Sequence, residues 1–280
     1  MKGEDNEVYF KVYFYRVVAM KKYIGWFSCG TTSAVACKLA LDMYGKDNVD
    51  LWYIETGASH PDNVRFIQQC EKWYGKSIRI EKCDKFSCPL DVAKRELFNT
   101  PYGAPCTKYL KKEVRQKKII PLYEGQDVYH VLGFEYTKHE VNRALRWKEQ
   151  QTKNCVFPLI YKHLDKRKCL LMLKQEGIDV PAMYKLGYHN NNCIGCFKGG
   201  MGYWNKIRKD FPDVFEAVSK VEQETGHTVL KKDGEQLYLK DLKEDWGNHT
   251  NIEIPDCGLF CDLEMSGIAD KEIEEIVKQL

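Results

Sequence analysis

A chain of 280 residues with 44% hydrophobic and 30% charged side chains is long and apolar enough for a substantial core, which excludes a disordered polypeptide. Its net charge of +3 sets up no global field of the kind that marks a dedicated nucleic-acid or membrane-surface protein. No run approaches the ~18 apolar residues of a membrane span, so the expected compartment is the cytoplasm, where twelve cysteines would stay reduced.

Residues 1–19 read as an N-terminal extension or, from the alternation of Val8, Phe10, Val12 and Phe14, as an edge strand. They lack a small-residue cleavage site and are interrupted by Lys11 and Arg16, which argues against a signal peptide. Strand-like and helix-like runs then alternate, the pattern of a parallel sheet covered by helices. Strands are expected over 23–27, 49–54, 77–81 and 128–134. Helices are expected over 33–44, 61–74, 90–98, 107–118, 138–150 and 164–176, with Gly45, Gly75 and Gly177 as stops. The texture changes near residue 180, and a C-terminal segment follows with helices near 203–209 and 212–225 and an irregular tail. The predicted organisation is a nucleotide-binding domain over 20–180, built on a doubly wound, mostly parallel sheet of about five strands, and a cysteine-containing, helical segment over 181–280.

Three elements carry the chemistry. Phe27-Ser28-Cys29-Gly30-Thr31-Thr32-Ser33 joins a buried strand to a helix, so backbone N–H groups, hydroxyls and the positive end of the helix dipole converge on one anion cradle. It lacks the Gly-Lys-Ser/Thr of a Walker loop, which disfavours a generic phosphate-transfer NTPase. Glu55-Thr56-Gly57-Ala58-Ser59-His60-Pro61-Asp62-Asn63 lies at a strand's carboxyl end, where open α/β sheets bind ligands. Beyond Gly133, Glu140 and Arg143 stand three apart on a helix and share a face that can clamp phosphate or metal. The lysines at 108, 111, 112, 117 and 118, with Arg115, read mainly as a solvated helix face.

Four cysteines come in spaced pairs, Cys193 with Cys196 and Cys257 with Cys261. Together with Cys106 they form a candidate thiolate metal site, because two thiolates flanking Gly195 can reach one ion. Cys37, Cys70, Cys155 and Cys169 fall singly in apolar segments and read as packing residues.

The order of these elements resembles the PP-loop ATP pyrophosphatases, and within them the phosphoadenosine phosphosulfate reductase-like proteins. The 28–33 turn is similar to that group's Ser-Gly-Gly-x-x-Ser loop, with Cys29 at a usual Gly and Thr32 at a frequent Asp. Residues 55–63 are similar to its Asp-Thr-Gly-x-x-x-Pro segment, and Gly133 to Arg143 to its Gly-x-x-x-x-Glu-x-x-Arg element. Cys106-Thr107-Lys108-Tyr109-Leu110-Lys111 resembles a Cys-Thr-x-x-Leu-Lys element of sulfur-handling members, including DNA phosphorothioation sulfurtransferases. Residues 186–200 are like a segment of phage and bacterial reductase-like proteins.

The resemblance implies an enzyme that binds ATP or a sulfated adenine nucleotide, with magnesium, to adenylate an acceptor or transfer sulfur to it. Ser28, Gly30, Thr31, Thr32 and Ser33 would cradle phosphates. Glu55, with Thr56, Gly57 and Gly133 beside it, would serve the nucleoside or the magnesium ion, and Arg143, Glu140 and Cys106 would act in catalysis. The metal at Cys106, Cys193, Cys196, Cys257 and Cys261 would be a [4Fe-4S] cluster, or alternatively zinc. Acceptors in view are a nucleic acid or a sulfur-donor protein. The alternative function is a metal-stapled nucleic-acid-binding module that keeps the fold and loses the activity. Sulfonucleotide reduction fits less well, since the chain ends over 272–280 without a terminal cysteine.

Overall fold

The computed structural model describes residues 21–101, 103–150, 154–255 and 270–280; the expected extension 1–19 and the pair Cys257 and Cys261 lie outside them. Strands β1 (Lys22–Trp26), β2 (Val49–Glu55), β3 (Ile78–Lys82), β4 (Val128–Val131) and β5 (Asn154–Val156) form one sheet. Its order is β3-β2-β1-β4-β5, and every neighbouring pair is parallel. The chain builds outward from β1 to β3 and then returns past β1 to lay down β4 and β5. The strand order therefore reverses between β1 and β4, and the crevice at the carboxyl ends of those strands is where such a sheet binds ligands.

Helices α1 (Thr31–Tyr44) and α2 (Asn63–Tyr74) follow β1 and β2, and the short α3 (Pro89–Ala93) follows β3. Helix α4 opens at Pro105–Thr107 and runs on in wide, π-type turns over Lys108–Glu113 and Arg115–Ile119. Then come α5 (Lys138–Gln150) after β4, and α6 (Pro158–Tyr161) and α7 (Lys166–Gln175) after β5. Side chains alternate across the sheet with period two. Phe27, Leu51 and Tyr53 meet Val35, Leu41, Phe66 and Leu173 on one face. On the other, Ile24 and Trp52 meet Val114, Ile119 and Tyr123 of the α4 segment. Burial on both faces is why β1 and β2 read as apolar runs.

The remainder contributes α8 (Ala182–Lys185), α9 (Met201–Asp210), α10 (Pro212–Thr225), an antiparallel hairpin of β6 (Leu230–Lys232) and β7 (Glu235–Leu237), and α11 (Lys271–Val277). Trp204, Phe215, Tyr188, Phe197 and Leu239 form its core, and Ala93 and Phe98 from the first part of the chain pack into it. That burial explains a departure from the expected helix over 90–98. The helix stops at Ala93, the chain turns, Phe98 enters the second core and Asn99 donates from Nδ2 to the Phe197 carbonyl at 2.8 Å. Cys37, Cys70 and Cys169 are packing residues as expected, and burial pushes the Cys70 thiol up to about 12. Among the described residues no helix is long and apolar enough to cross a membrane.

Candidate active site

The 28–33 turn leaves β1 and enters α1 with Gly30 as N-cap. Ser33 holds it: its Oγ accepts from the Ser28 N–H and hydroxyl, both at 3.0 Å, and donates to the Gly30 carbonyl at 2.9 Å. Cys29 takes a left-handed conformation, φ 61°, and so keeps a backbone path that Gly would follow without strain. Its side chain is buried, with Sγ 3.7 Å from the Asn63 carbonyl, and burial pushes the thiol well up. Thr31 is buried too, its N–H and hydroxyl both 3.4 Å from the Tyr184 hydroxyl of α8. Of the predicted cradle, Ser28, Gly30 and Thr32 face open space, while Thr31 and Ser33 are committed to holding the turn. Gly133 backs onto it at the end of β4: a Cβ there would lie 3.1 Å from the Ser33 backbone.

In the second loop, Glu55 is fully engaged. One carboxylate oxygen accepts from the Gly57 N–H at 2.7 Å and the Ser59 hydroxyl at 2.8 Å, and the other from the Tyr53 hydroxyl at 2.9 Å. Gly57 has φ 75°, and a Cβ there would overlap the Ser87 carbonyl. Asp62 binds the Arg65 guanidinium at 2.7 Å and accepts from the Ala182 N–H at 2.8 Å; the Arg65 bond holds its carboxyl below the usual range. Residues 184–194 are thereby sewn to both loops. Asn191 donates to the Cys29 carbonyl at 2.6 Å and to Asn63 Oδ1 at 2.8 Å, and the Ile194 N–H donates to the Ala58 carbonyl at 2.8 Å.

Between these loops and α4 lies a cavity of about 280 Å³. One wall is apolar, with Trp26, Trp52, Ile54 and Leu132. Another carries Ser28, Gly30, Thr32 and Thr56, and a third carries Lys111, Lys112 and Arg115 of α4. No Asp or Glu lines it among the described residues. Arg115 has a buried Nε with no hydrogen-bond partner, its guanidinium lies 5.8 Å from the rings of both Trp26 and Trp147, and burial lowers its pKa. A desolvated cation without a carboxylate is the complement of an anionic ligand. The Asn191 Oδ1 is likewise buried without a donor at the same wall.

The phosphoadenosine phosphosulfate reductase domain is matched over residues 22–200, the stretch that contains the sheet and this cavity. The chain belongs to that family. It is also similar to an uncharacterized protein of Methanocaldococcus jannaschii, 26% identical over 211 residues; the match covers 71% of this chain and 41% of the relative, so the chain spans about two fifths of that protein's length. Among solved structures it is similar to a phosphoadenylyl-sulfate reductase from Candida auris in a phosphate complex, at 16% identity and a TM-score of 0.45, covering 65% of this chain and 86% of the other.

Within this family member, Cys193 lines the cavity, its Sγ 3.0 Å from the Thr56 hydroxyl. The Cys-x-x-Cys turn is closed by Gly195 at φ 71° and by the Tyr203 hydroxyl, which accepts from the Cys196 N–H at 2.9 Å and donates to the Cys193 carbonyl at 3.2 Å. Burial raises the Cys106 thiol, and the neighbouring Cys193 and Cys196 raise it further, against the pull of Lys111 and Lys198. The three thiols are thus neighbours, but no group of three or more such side chains among the described residues is placed to hold a metal ion. Glu140 and Arg143 sit apart from the cavity: they pair with one another at 3.1 Å, and Arg143 lies over the Phe134 ring at 4.8 Å. Sequence reasoning missed Lys111, Lys112 and Arg115 as cavity residues, although their stripe at positions 108, 111, 112 and 115 has helical spacing.

Proposed function

We propose that this chain binds an adenine nucleotide in the cavity at the carboxyl ends of β1, β2 and β4, and uses it for sulfur transfer or adenylation of an acceptor. The observation that carries the reading is the meeting, in one cavity, of a hydroxyl-lined helix N-terminus, three cations without a carboxylate, and the Cys193 thiol. Thr32 donates to phosphoryl or sulfuryl oxygens, as does Ser28 once its hydroxyl turns from Ser33 to the ligand, Lys111, Lys112 and Arg115 offset their charge, and the two tryptophans wall the base. Asn191 Oδ1 accepts from an amino or hydroxyl group of the ligand. Glu55 is occupied by three donors, and no carboxylate among the described residues lines the cavity, so the residues present do not fit a protein-ligated magnesium ion. That favours a sulfated adenine nucleotide, bound through cations alone, over magnesium-ATP cleaved between its α and β phosphorus atoms.

Cys193 and Cys196, with two of Cys106, Cys257 and Cys261, are the residues that would hold a thiophilic centre. A [4Fe-4S] cluster there would supply an electron-rich sulfide face, and zinc a structural clamp.

Calorimetric titration with phosphoadenosine phosphosulfate and with ATP, each in magnesium and in EDTA, tests the reading. Hydrogen bonds to charged groups contribute about 1.5–3 kcal/mol each, so Ser28→Ala with Thr32→Ala should weaken binding roughly a hundredfold or more, with no dependence on magnesium. Unchanged affinity in the double variant refutes the site, and binding that requires magnesium refutes the metal-free mode.

A further inference from the structure

The lysines of α4 fall into two groups. Toward its C-terminal end Lys117 pairs with Glu113, and Lys118 with Glu81 and Asp84 at 2.8 Å, so their charge is spent within the protein. Toward its N-terminal end Lys108, Lys111 and Lys112 are exposed and have no carboxylate within ion-pair distance among the described residues, and the same holds for Lys198 of the Cys-x-x-Cys segment. Exposed lysines this close together repel, and no internal partner offsets the cost.

These lysines bound a second cleft, of about 450 Å³. Its walls include Lys108, Lys112, Lys198, Tyr109 and the residues on either side of Cys106. Its one carboxylate among the described residues, Glu96, accepts from the Tyr109 hydroxyl at 2.9 Å. Lys112 lines both this cleft and the nucleotide cavity, so the two join at that side chain. One aromatic ring stands among the cations: Tyr109 is backed by the buried Phe86 at 5.1 Å, with Lys108 at 4.7 Å and Lys85 at 5.2 Å from its centroid. Along α4, Lys108 borders the second cleft, Lys112 borders both, and Lys111 and Arg115 border the nucleotide cavity, so the cations lead from one to the other.

We propose that this second cleft binds single-stranded nucleic acid and leads it to the edge of the nucleotide cavity at Lys112. One small anion would engage a single lysine, whereas a line of unneutralised cations matches a chain of phosphates, and the partly exposed Tyr109 ring offers a stacking face that a base of any sequence can use. A duplex is a poorer occupant, because its paired bases cannot reach the Tyr109 ring. The proposal rests on the nucleotide reading only for what happens at the shared end; binding of the strand stands independently.

The test is fluorescence anisotropy of the full chain with labelled single-stranded DNA and RNA oligonucleotides, from 50 to 200 mM salt, beside calorimetry with the nucleotide. Four contacting cations give a slope of log K on log salt near −3, from ~0.7 per phosphate contact on a single strand. Lys108→Gln with Lys198→Gln, which removes two of them outside the nucleotide cavity, should reduce the slope to about −1.5. It should also cost tenfold or more in oligonucleotide affinity at 50 mM salt, with nucleotide affinity and melting temperature unchanged. The proposal is overturned by absence of oligonucleotide binding in the wild type, by an unaltered slope in the double variant, or by tighter binding of a duplex. It is overturned equally if polyglutamate competes as well as an oligonucleotide does, which would assign the cleft to an acidic protein. Loss of nucleotide binding with retained oligonucleotide binding would sink the nucleotide reading alone.

Discussion

Glu222 is fully buried in α10, yet both of its oxygens are used: the Val229 N–H donates to one at 2.8 Å and the Leu239 N–H to the other at 2.7 Å. The carboxylate pins the β6–β7 hairpin and the turn after it onto the helix that backs the Cys-x-x-Cys segment. Burial outweighs the two donors and moves its pKa from 4.5 up to about 7. A raised folded-state pKa means the native chain binds the extra proton, so the stabilising contribution is full below pH 4.5 and is lost as pH rises through 7. The integrated loss is about 3 kcal/mol, at roughly 1.4 kcal/mol per pKa unit. Glu222→Gln removes the titration and leaves one N–H facing an amide NH₂, a cost of about 1–3 kcal/mol. Urea unfolding between pH 4.5 and 8 should therefore show wild type losing stability with pH, and the variant flat, less stable than wild type at pH 5 and close to it at pH 8. A wild type whose stability does not fall over that range, or a variant with the same pH dependence, refutes the account.

Arg115→Met keeps an unbranched, apolar side chain between Trp26 and Trp147 but removes the cation, so nucleotide affinity should fall about ten- to a hundredfold with no loss in melting temperature. Calorimetry with paired thermal melts checks both, and unchanged affinity would mean the guanidinium has no anionic partner. For the thiols, anaerobic purification with iron, sulfide and zinc analysis should find a metal in wild type that Cys193→Ser and Cys196→Ser each lose; metal-free wild type after reconstitution removes the site, and zinc without sulfide removes the cluster.

The legibility of the site followed the range of the forces that make it. The 28–33 turn and the 55–63 loop were readable because each is one strand end and one helix start, and local geometry alone makes a helix N-terminus an anion site. Ser33 holds the turn through Ser28 and Gly30 close by, but whether the Thr31 hydroxyl faces ligand or holds the turn depends on Tyr184, more than 150 residues away. Glu140 and Arg143 share a face as spacing requires, and spacing is silent on which way that face points. The β6–β7 hairpin was legible and went unread as part of an irregular tail: Asp233-Gly234, both at positive φ, is a two-residue turn signal.

The lysine-rich helix shows why composition misleads in the opposite direction. Charge runs on helices are usually solvated, and for Lys117 and Lys118 the ordinary expectation is met, since each has its carboxylate. Earlier in the same helix, Lys108, Lys111 and Lys112 face two adjoining cavities and form no ion pair among the described residues. The difference lies in what faces the helix, and the opposing surface is supplied by the Cys-x-x-Cys segment and the carboxyl ends of the sheet. Where a cation has no carboxylate partner among the described residues, a bound anion is a source of the negative charge it lacks. That is why the unpaired Arg115 and Lys112 say more about the substrate than the longer run of lysines does.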